Sequence, residues 1–303
     1  MNILKSYLDS LLTKAAPLIK NDKLYLKYKF YLMMGYFPDL KNPKTYSEKM
    51  QWLKLHDRQS IYTQMVDKLA VKQLVREKLG EGYTIPVLGV WDRAEDIEWD
   101  KLPQRFVLKC NHDSGEGTIF CKDKSTLNKK DAIERINRSL QSDYYIHSRE
   151  WPYKNVQRKV FAEEYMEDKN DSIHEHLQDY KFLCFSGEPK LMYVTSGKFT
   201  KNRISTDFFD LDFNHLDIHD KDENSDTPIV KPSTFEEMKR MAKVLSKGIS
   251  HVRVDFFEVN GKVYFGEYTF YNWGGFSQMR PKKWNSILGD WIKLPCKGGN
   301  KVK

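Results

Sequence analysis

The sequence predicts an α+β protein of several lobes, because helices and antiparallel hairpins follow one another without the strand–helix–strand alternation of a parallel sheet. Three observations carry this reading. Residues 179–185 and 190–195 are apolar-rich runs on either side of Ser186-Gly187-Glu188-Pro189, the pattern of a hairpin. Residues 251–257 and 263–270 flank Asn260-Gly261, a strong short-range turn signal. Between these strands apolar residues recur at helical spacing, as in Met238, Met241 and Leu245.

The elements divide into four regions. Residues 1–40 form an N-terminal helical segment rich in Lys, Leu and Tyr, read as packing against the body, with an amphipathic helix on a membrane surface as the alternative. Residues 41–100 form a small α/β lobe. It opens with a turn and a capped helix from Asn42 through Leu55, and continues with one helix over 62–79 that stops at Gly80. A strand over 83–90 closes it. Residues 101–162 form a central lobe: a strand at 105–110 runs into the polar glycine loop 111–117, and a helix carries Ile133, Ile136 and Leu140 on one stripe. Residues 163–303 form a C-terminal lobe. The strand over 160–166 leads into it, the two hairpins follow, and a helix starts at Ser233 with Glu236 completing a capping box. Within it, 201–230 reads as polar loops with a short strand or two.

Composition narrows the function. The 303 residues are 40% hydrophobic and 14% aromatic, which suits a folded chain, and the formal net charge of +8 favours anionic partners. No zinc-finger spacing, RNP-like strand or basic helix is present, so nucleic acid is not expected as a partner. Cys110, Cys121, Cys184 and Cys296 form no CxxC pair and read as reduced thiols. Lys5, Asp9 and Lys14 interrupt any apolar core before Pro17, so no signal peptide is expected, and no apolar run reaches the ~20 residues of a membrane span. These features predict a cytoplasmic protein, with peripheral association at the inner face of the membrane as a further expectation.

The least expected polar residues lie in the last hairpin. Arg253, Asp255 and Phe257 share one face of a strand, with Val252, Val254 and Phe256 on the other, and Glu267 and Thr269 stand on the returning strand. Two carboxylates in an apolar hairpin cost free energy unless a cation offsets them. Mg²⁺ does so, since it takes one or two carboxylates together with phosphate oxygens. A plain two-residue turn pairs Asp255 with Gly266, whereas a bulge at Gly261 pairs it with Glu267. The bulged turn is expected.

Arg253-Val254-Asp255 followed by Gly266-Glu267-Tyr268-Thr269 resembles the metal-binding hairpin of ATP-grasp enzymes such as D-alanine–D-alanine ligase. The resemblance implies an ATP-grasp fold in which a small N-terminal α/β lobe joins two mixed α+β lobes that clasp ATP. It implies Mg²⁺ on Asp255 and Glu267, and Arg253 on the oxyanion of a tetrahedral intermediate. Thr269 stands where the family has Asn, as a weak or water-mediated ligand, and Asn272 is nearby but out of register. Lys109 resembles the lysine on the α- and β-phosphates. Ser114, Gly115 and Gly117 belong to a loop similar to the one that covers the triphosphate. Glu163-Glu164-Tyr165-Met166 resembles the strand whose backbone reads adenine. Asp179 stands where the family places an acid on the ribose, with Lys181 facing the same way.

A closer resemblance is to the TupA-like subfamily, named for teichuronopeptide biosynthesis. It rests on Pro43 through Leu53, Asp67-Lys68, Leu108-Lys109-Cys110-Asn111, Asp179-Tyr180-Lys181-Phe182 and Gly266 through Tyr271. It implies a ligase that joins an amine or amino acid to a uronic-acid carboxylate of a capsular or cell-surface polysaccharide, through an acyl phosphate. Arg203 is the candidate for the acidic sugar, and His112, His174 and His176 are candidates for the base that takes the amine proton. Two rival readings are a metal-dependent glycosyltransferase, from the triplet Asp210-Leu211-Asp212, and an ATP-grasp kinase for a sugar or lipid. A non-enzymatic basic module for acidic polysaccharide is the last, and Asp255, Glu267 and Lys109 argue against it.

Overall fold

A computed structural model describes residues 3–169, 177–196, 204–220 and 222–295. In chain order it runs α1 (Ile3–Ala15), α2 (Asp22–Met34), α3 (Tyr46–His56), α4 (Ile61–Val66), α5 (Val71–Leu79), β1 (Val87–Trp91), β2 (Phe106–Cys110) and β3 (Ile119–Cys121). Then follow α6 (Lys129–Gln141), α7 (Tyr144–Ser148), β4 (Val160–Glu164), β5 (Asp179–Phe185), β6 (Glu188–Ser196), β7 (Ser205–Phe209) and β8 (His215–Leu216). Last come α8 (Phe235–Ser246), β9 (His251–Val259), β10 (Lys262–Thr269) and α9 (Lys283–Trp291). The strands form two antiparallel sheets, one of four in the order β1-β4-β2-β3 and one of six in the order β10-β9-β5-β6-β7-β8.

Strand alternation gives each sheet one dry face and one functional face. In the small sheet Phe106, Leu108, Cys110, Val160 and Ala162 pack with Ile136 of α6 as a separate core. Val107, Lys109, Phe161 and Glu163 point the other way and line a cavity. In the large sheet Phe182, Val252, Val254 and Phe256 join Met238, Met241 and Leu245 of α8 in the main core.

The small N-terminal α/β lobe expected at 41–100 does not stand alone. Tyr46, Met50, Trp52, Tyr62, Val71 and Val75 of α3–α5 belong to the same buried core as the six-stranded sheet. Three short helices have too little apolar surface to close a core by themselves, so they share one. The strand expected at 83–90 is divided between the sheets. The Tyr83 carbonyl accepts from the Phe265 amide at 2.7 Å, while β1 pairs with β4.

Two helix expectations are also corrected. The single helix expected over 62–79 is two, α4 and α5, broken at Asp67, whose carboxylate accepts from the amides of Leu69 and Ala70 at 2.9 and 3.1 Å. Helix α8 has no capping box. Glu258, from β9, accepts from the Thr234 amide at 2.9 Å and the Ser233 hydroxyl at 3.1 Å, so the cap comes from a neighbouring strand. By contrast α3 has the full reciprocal box between Thr45 and Glu48. Cys110, Cys121 and Cys184 are free and buried, and Cys296 lies outside the described residues.

Candidate active site

A cavity of about 550 Å³ is lined by residues of both sheets, among them Lys68, Lys109, Glu163, Met166, Asp179 and Glu267. On the small sheet Lys109, Glu163 and Glu164 supply the charged part of its wall. Glu163, at 4% exposure, is gripped by two ammonium groups, Lys109 on Oε2 and Lys72 on Oε1, each at 2.5 Å. Burial alone raises a carboxyl, but Lys109 and Lys72 outweigh it and hold Glu163 below the usual carboxylate range. Burial also lowers Lys72, against the pull of Glu163. Two cations to one carboxylate leave this cluster a net positive charge, with Lys109 on the cavity wall and Lys72 behind it, donating also to the Ile85 carbonyl at 2.7 Å.

The glycine loop follows β2 and is tied to its own carboxylate. Buried Asp113 accepts from the amides of Gly115 at 3.1 Å and Gly117 at 2.6 Å, and from the Ser139 hydroxyl at 2.6 Å. Ser114 and Gly115 are on the cavity wall. Gly117 is not; a Cβ there would stand 2.8 Å from Cys110 Sγ and 2.9 Å from Asp113 Oδ2, so this position requires glycine for packing. In this arrangement the Gly115 and Gly117 amides serve Asp113 instead of a phosphate.

Where β4 ends, Glu163, Glu164, Tyr165 and Met166 line the cavity in sequence. Arg105 stacks over the Tyr165 ring at 4.3 Å and pairs with Glu167 through both terminal nitrogens at 2.9 and 3.1 Å, which fixes the strand as it leaves the sheet.

The large-sheet wall is the charge complement. Arg253 donates all five of its N–H groups: Nε to Asp255 at 2.7 Å, Nη1 to the Tyr193 hydroxyl at 3.1 Å and to Asn272 Oδ1 at 2.9 Å, and Nη2 to Asp255 at 2.6 Å and Glu267 at 3.0 Å. Lys181, opposite Asp255 on β5, reaches Asp179 at 2.7 Å and Asp255 at 3.1 Å. Burial works against its charge, but those two carboxylates raise it above the ordinary lysine range. Three carboxylates face two cations here. Lys68 stands between the walls: its ammonium donates to the Asp113 carbonyl and lies 3.9 Å from Glu267.

The hairpin reaches this geometry by another route than expected. The Asn260-Gly261 turn is a plain two-residue turn, with Val259 opposite Lys262 and positive φ at both turn residues. The bulge lies further along, between Phe265 and Tyr268, so that Gly266 and Glu267 together span the place opposite Asp255. The correction concerns only where the extra residue sits; Asp255 and Glu267 still meet, through one guanidinium nitrogen.

Those two carboxylates fit a hard divalent cation. Both accept from Arg253 Nη2, so they belong to one cluster, and a Mg²⁺ held there would take its remaining ligands from phosphate oxygens and water. Among the described residues no three His, Cys, Asp or Glu side chains converge on an all-protein metal site. Thr269 stands beside Glu267, with its hydroxyl 3.5 Å from that carboxylate. The oxyanion role expected for Arg253 is not available in this arrangement, because every donor is engaged. Asn272, out of register in the sequence, is on the same guanidinium.

Other expectations fall away or lie elsewhere. His112 is buried, with its Nε2 3.0 Å from the Ser139 carbonyl, and burial lowers its pKa; it has a structural position. Asp210 accepts from the Asp212 and Asn214 amides at 2.9 and 2.8 Å, so the Asp-x-Asp triplet caps its own turn. Arg203, His174 and His176 lie outside the described residues. Lys72 and Lys68 were missed as site residues. Lys68 lines the cavity, and its available signal was the Asp67-Lys68 pair; Lys72 is off the wall and acts through Glu163, a contact the sequence did not signal.

A profile described as TupA-like ATP-grasp matches residues 48–293. No curated protein matches the chain. Among solved structures, D-alanine–D-alanine ligase from Bacillus anthracis complexed with ATP is similar at 14% identity, over 68% of this chain and 55% of that one, with a TM-score of 0.40. D-alanine–D-alanine ligase from Helicobacter pylori is similar at 13% identity, over 82% and 69%, with a TM-score of 0.45. A RimK domain ATP-grasp protein from Sphaerobacter thermophilus is similar at 10% identity, over 76% and 69%, with a TM-score of 0.40. The chain thus spans 55% to 69% of the length of these structures. With 246 of its residues matched by one family profile, the chain belongs to the TupA-like ATP-grasp family.

Proposed function

We propose that this protein is an ATP-dependent carboxylate–amine ligase that forms an amide bond through an acyl phosphate. The observation that carries the reading is the division of two charge clusters at the cavity. Around Glu163 two lysines share one carboxylate, which leaves Lys109 suited to phosphates. Around Arg253 and Lys181 three carboxylates face two cations, suited to the Mg²⁺ that travels with them. The exit of β4, from Glu163 to Met166, supplies backbone for the adenine between the two walls.

In this reading Lys109 neutralises phosphate charge, and Glu163 holds both Lys109 and Lys72 in place. Asp255 and Glu267 hold Mg²⁺, which when bound neutralises the β- and γ-phosphates and orients them for transfer. Arg253 positions those two carboxylates. The substrate carboxylate attacks the γ-phosphorus and releases ADP. The amine then attacks the acyl carbon, expels inorganic phosphate and loses a proton. The acidic substrate is a uronic acid of a cell-surface polysaccharide and the nucleophile an amine or amino acid, a choice supported by the family and by the net charge of +8.

The test is ADP release with Mg²⁺-ATP, a panel of uronates and a panel of amines. Release that needs a uronate, together with hydroxamate formation when hydroxylamine replaces the amine, supports an acyl phosphate. Thermal stabilisation by Mn²⁺-UDP-sugars and none by Mg²⁺-ATP would remove the reading in favour of glycosyl transfer.

A further inference from the structure

Helix α1 sends only Leu12 toward a buried cluster, that of Ala16, Tyr25 and Leu26, and shows most of its apolar residues to the outside. At 3.6 residues per turn, Ile3, Leu4, Tyr7, Leu8 and Leu11 fall on one side. They are 87%, 62%, 62%, 41% and 44% exposed, and no residue of α1 is buried. The opposite side, Asp9 and Thr13, lies on α2 through polar contacts: Lys29 reaches the Asp9 carboxylate at 2.7 Å and the Thr13 hydroxyl at 3.0 Å. The apolar stripe therefore faces away from the protein. Leu18 continues it at 83% exposure, and Tyr28, Tyr31 and Phe37 add an exposed aromatic group in which Tyr31 and Phe37 stack at 4.5 Å. An exposed apolar helix face of this kind marks an interaction site.

The charge around it selects the occupant. The first 37 residues hold six lysines, two aspartates and no arginine or glutamate. Lys14, Lys20, Lys23 and Lys27 are exposed. Both aspartates are already paired, Asp9 with Lys29 and Asp22 with Arg58 at 2.9 Å. Lys5 and Lys27 each lie 5.3 Å above an aromatic ring, Tyr31 and Phe37, the mixture of cation and amphipathic ring that suits a headgroup layer. A second copy of the chain would bring lysines against lysines across a two-fold axis. The family match starts at residue 48, so this helix pair precedes the matched region, and α2 is seated on the body through buried Tyr25 and Phe30.

We infer that α1, with the exposed aromatic residues of α2 and Phe37, docks the protein on a bilayer surface carrying anionic headgroups. The leucine and isoleucine side chains enter the acyl boundary and the lysines meet the headgroups, as in other interfacial helices. The inference does not rest on the proposed ligase activity.

The test is co-sedimentation of the full chain with phosphatidylcholine vesicles and with vesicles containing a third phosphatidylglycerol. Binding to the anionic vesicles is expected to exceed binding to the neutral ones by tenfold or more and to fall with salt. Leu4→Ser/Leu8→Ser/Leu11→Ser is expected to lose that binding by at least tenfold, with an unchanged melting temperature because the three side chains are exposed. Lys14→Gln/Lys20→Gln/Lys23→Gln/Lys27→Gln is expected to lose it several-fold on anionic vesicles alone. Equal binding by wild type and the triple serine variant overturns the inference. So does a wild-type dimer in light scattering that the serine variant converts to monomer while neither binds vesicles.

Discussion

The two walls of the cavity use the same device with opposite signs. On the four-stranded sheet one buried carboxylate, Glu163, is held between two lysines. On the six-stranded sheet one buried guanidinium, that of Arg253, is held between two carboxylates. On each wall one partner lines the cavity and presents its charge, Lys109 on the first and Glu267 on the second, while the other partner, Lys72 or Asp255, is buried behind it. The lesson is that neither central residue needs to touch a ligand to matter: each keeps two like charges together that would otherwise separate. The walls differ in exposure as well. Glu267 is 38% exposed at its side chain, whereas Asp255 is 1% exposed, so the acidic wall has one accessible member and one foundation.

The largest effect should come from the accessible acid. Glu267→Gln keeps a hydrogen-bonding group for Arg253 and should lower ATP turnover by about a hundred- to a thousandfold, read as ADP release, with little change in melting temperature. Asp255 behaves otherwise. Asp255→Ala leaves Arg253 and Lys181 without their shared partner, which costs about 3–5 kcal/mol of stability. A melting temperature equal to wild type in Asp255→Ala would break the comparison.

On the basic wall Glu163→Gln should destabilise the fold by roughly 3 kcal/mol, because buried Lys72 loses its counter-charge. Lys109→Met keeps the Glu163–Lys72 pair and should weaken nucleotide binding with a smaller loss of stability. Chemical denaturation and nucleotide titration of the two variants separate the foundation from the presenter; matching losses in both would show that the wall works as one unit.

The next test uses a residue of β9 with no part in either network. His251 Nδ1 donates to the Cys184 carbonyl and its Nε2 accepts from the Tyr46 hydroxyl, each at 2.9 Å. Burial, above all, lowers its pKa to about 3. The unfolded imidazole titrates near ~6.5, so between these values the unfolded chain holds the extra proton. Stability from this residue is therefore complete above about pH 6.5 and is lost as the pH falls toward 3, at up to about 1.4 kcal/mol per pH unit. His251→Gln should flatten that slope in denaturation midpoints measured from pH 6.5 to 4.5. The smallest effect is at the other end of β9. Glu258→Ala removes the outside cap of α8 and should cost about 1 kcal/mol, seen as a modest drop in melting temperature with unchanged activity.

Much of the molecule was legible because it is written locally. Alternation along β9 puts Arg253 and Asp255 on one face whatever the rest of the chain does, and Asn260-Gly261 sets the turn. The Thr45–Glu48 box needs only four residues, and α3 starts where it predicts. The cap of α8 failed because Glu258 lies 24 residues from Thr234, and a long-range acceptor displaced the local one. The triplet at Asp210 was over-read for the opposite reason: a short acidic loop usually serves its own backbone.

By itself, then, the sequence determined the succession of elements, the hairpin with its two acids, the lysine at the end of β2 and the family to which they belong. Each is a matter of period, spacing or motif within a few residues. Only the tertiary structure decided that Lys72 and Lys109 share Glu163, that the bulge falls at Gly266-Glu267 and not at the turn, and that Asn272 joins Arg253. It also decided that α1 shows its apolar side to the outside. Those outcomes depend on which groups two separately folded stretches bring within hydrogen-bond reach. A buried charge takes whatever partner the packing supplies, and packing is a property of the whole chain.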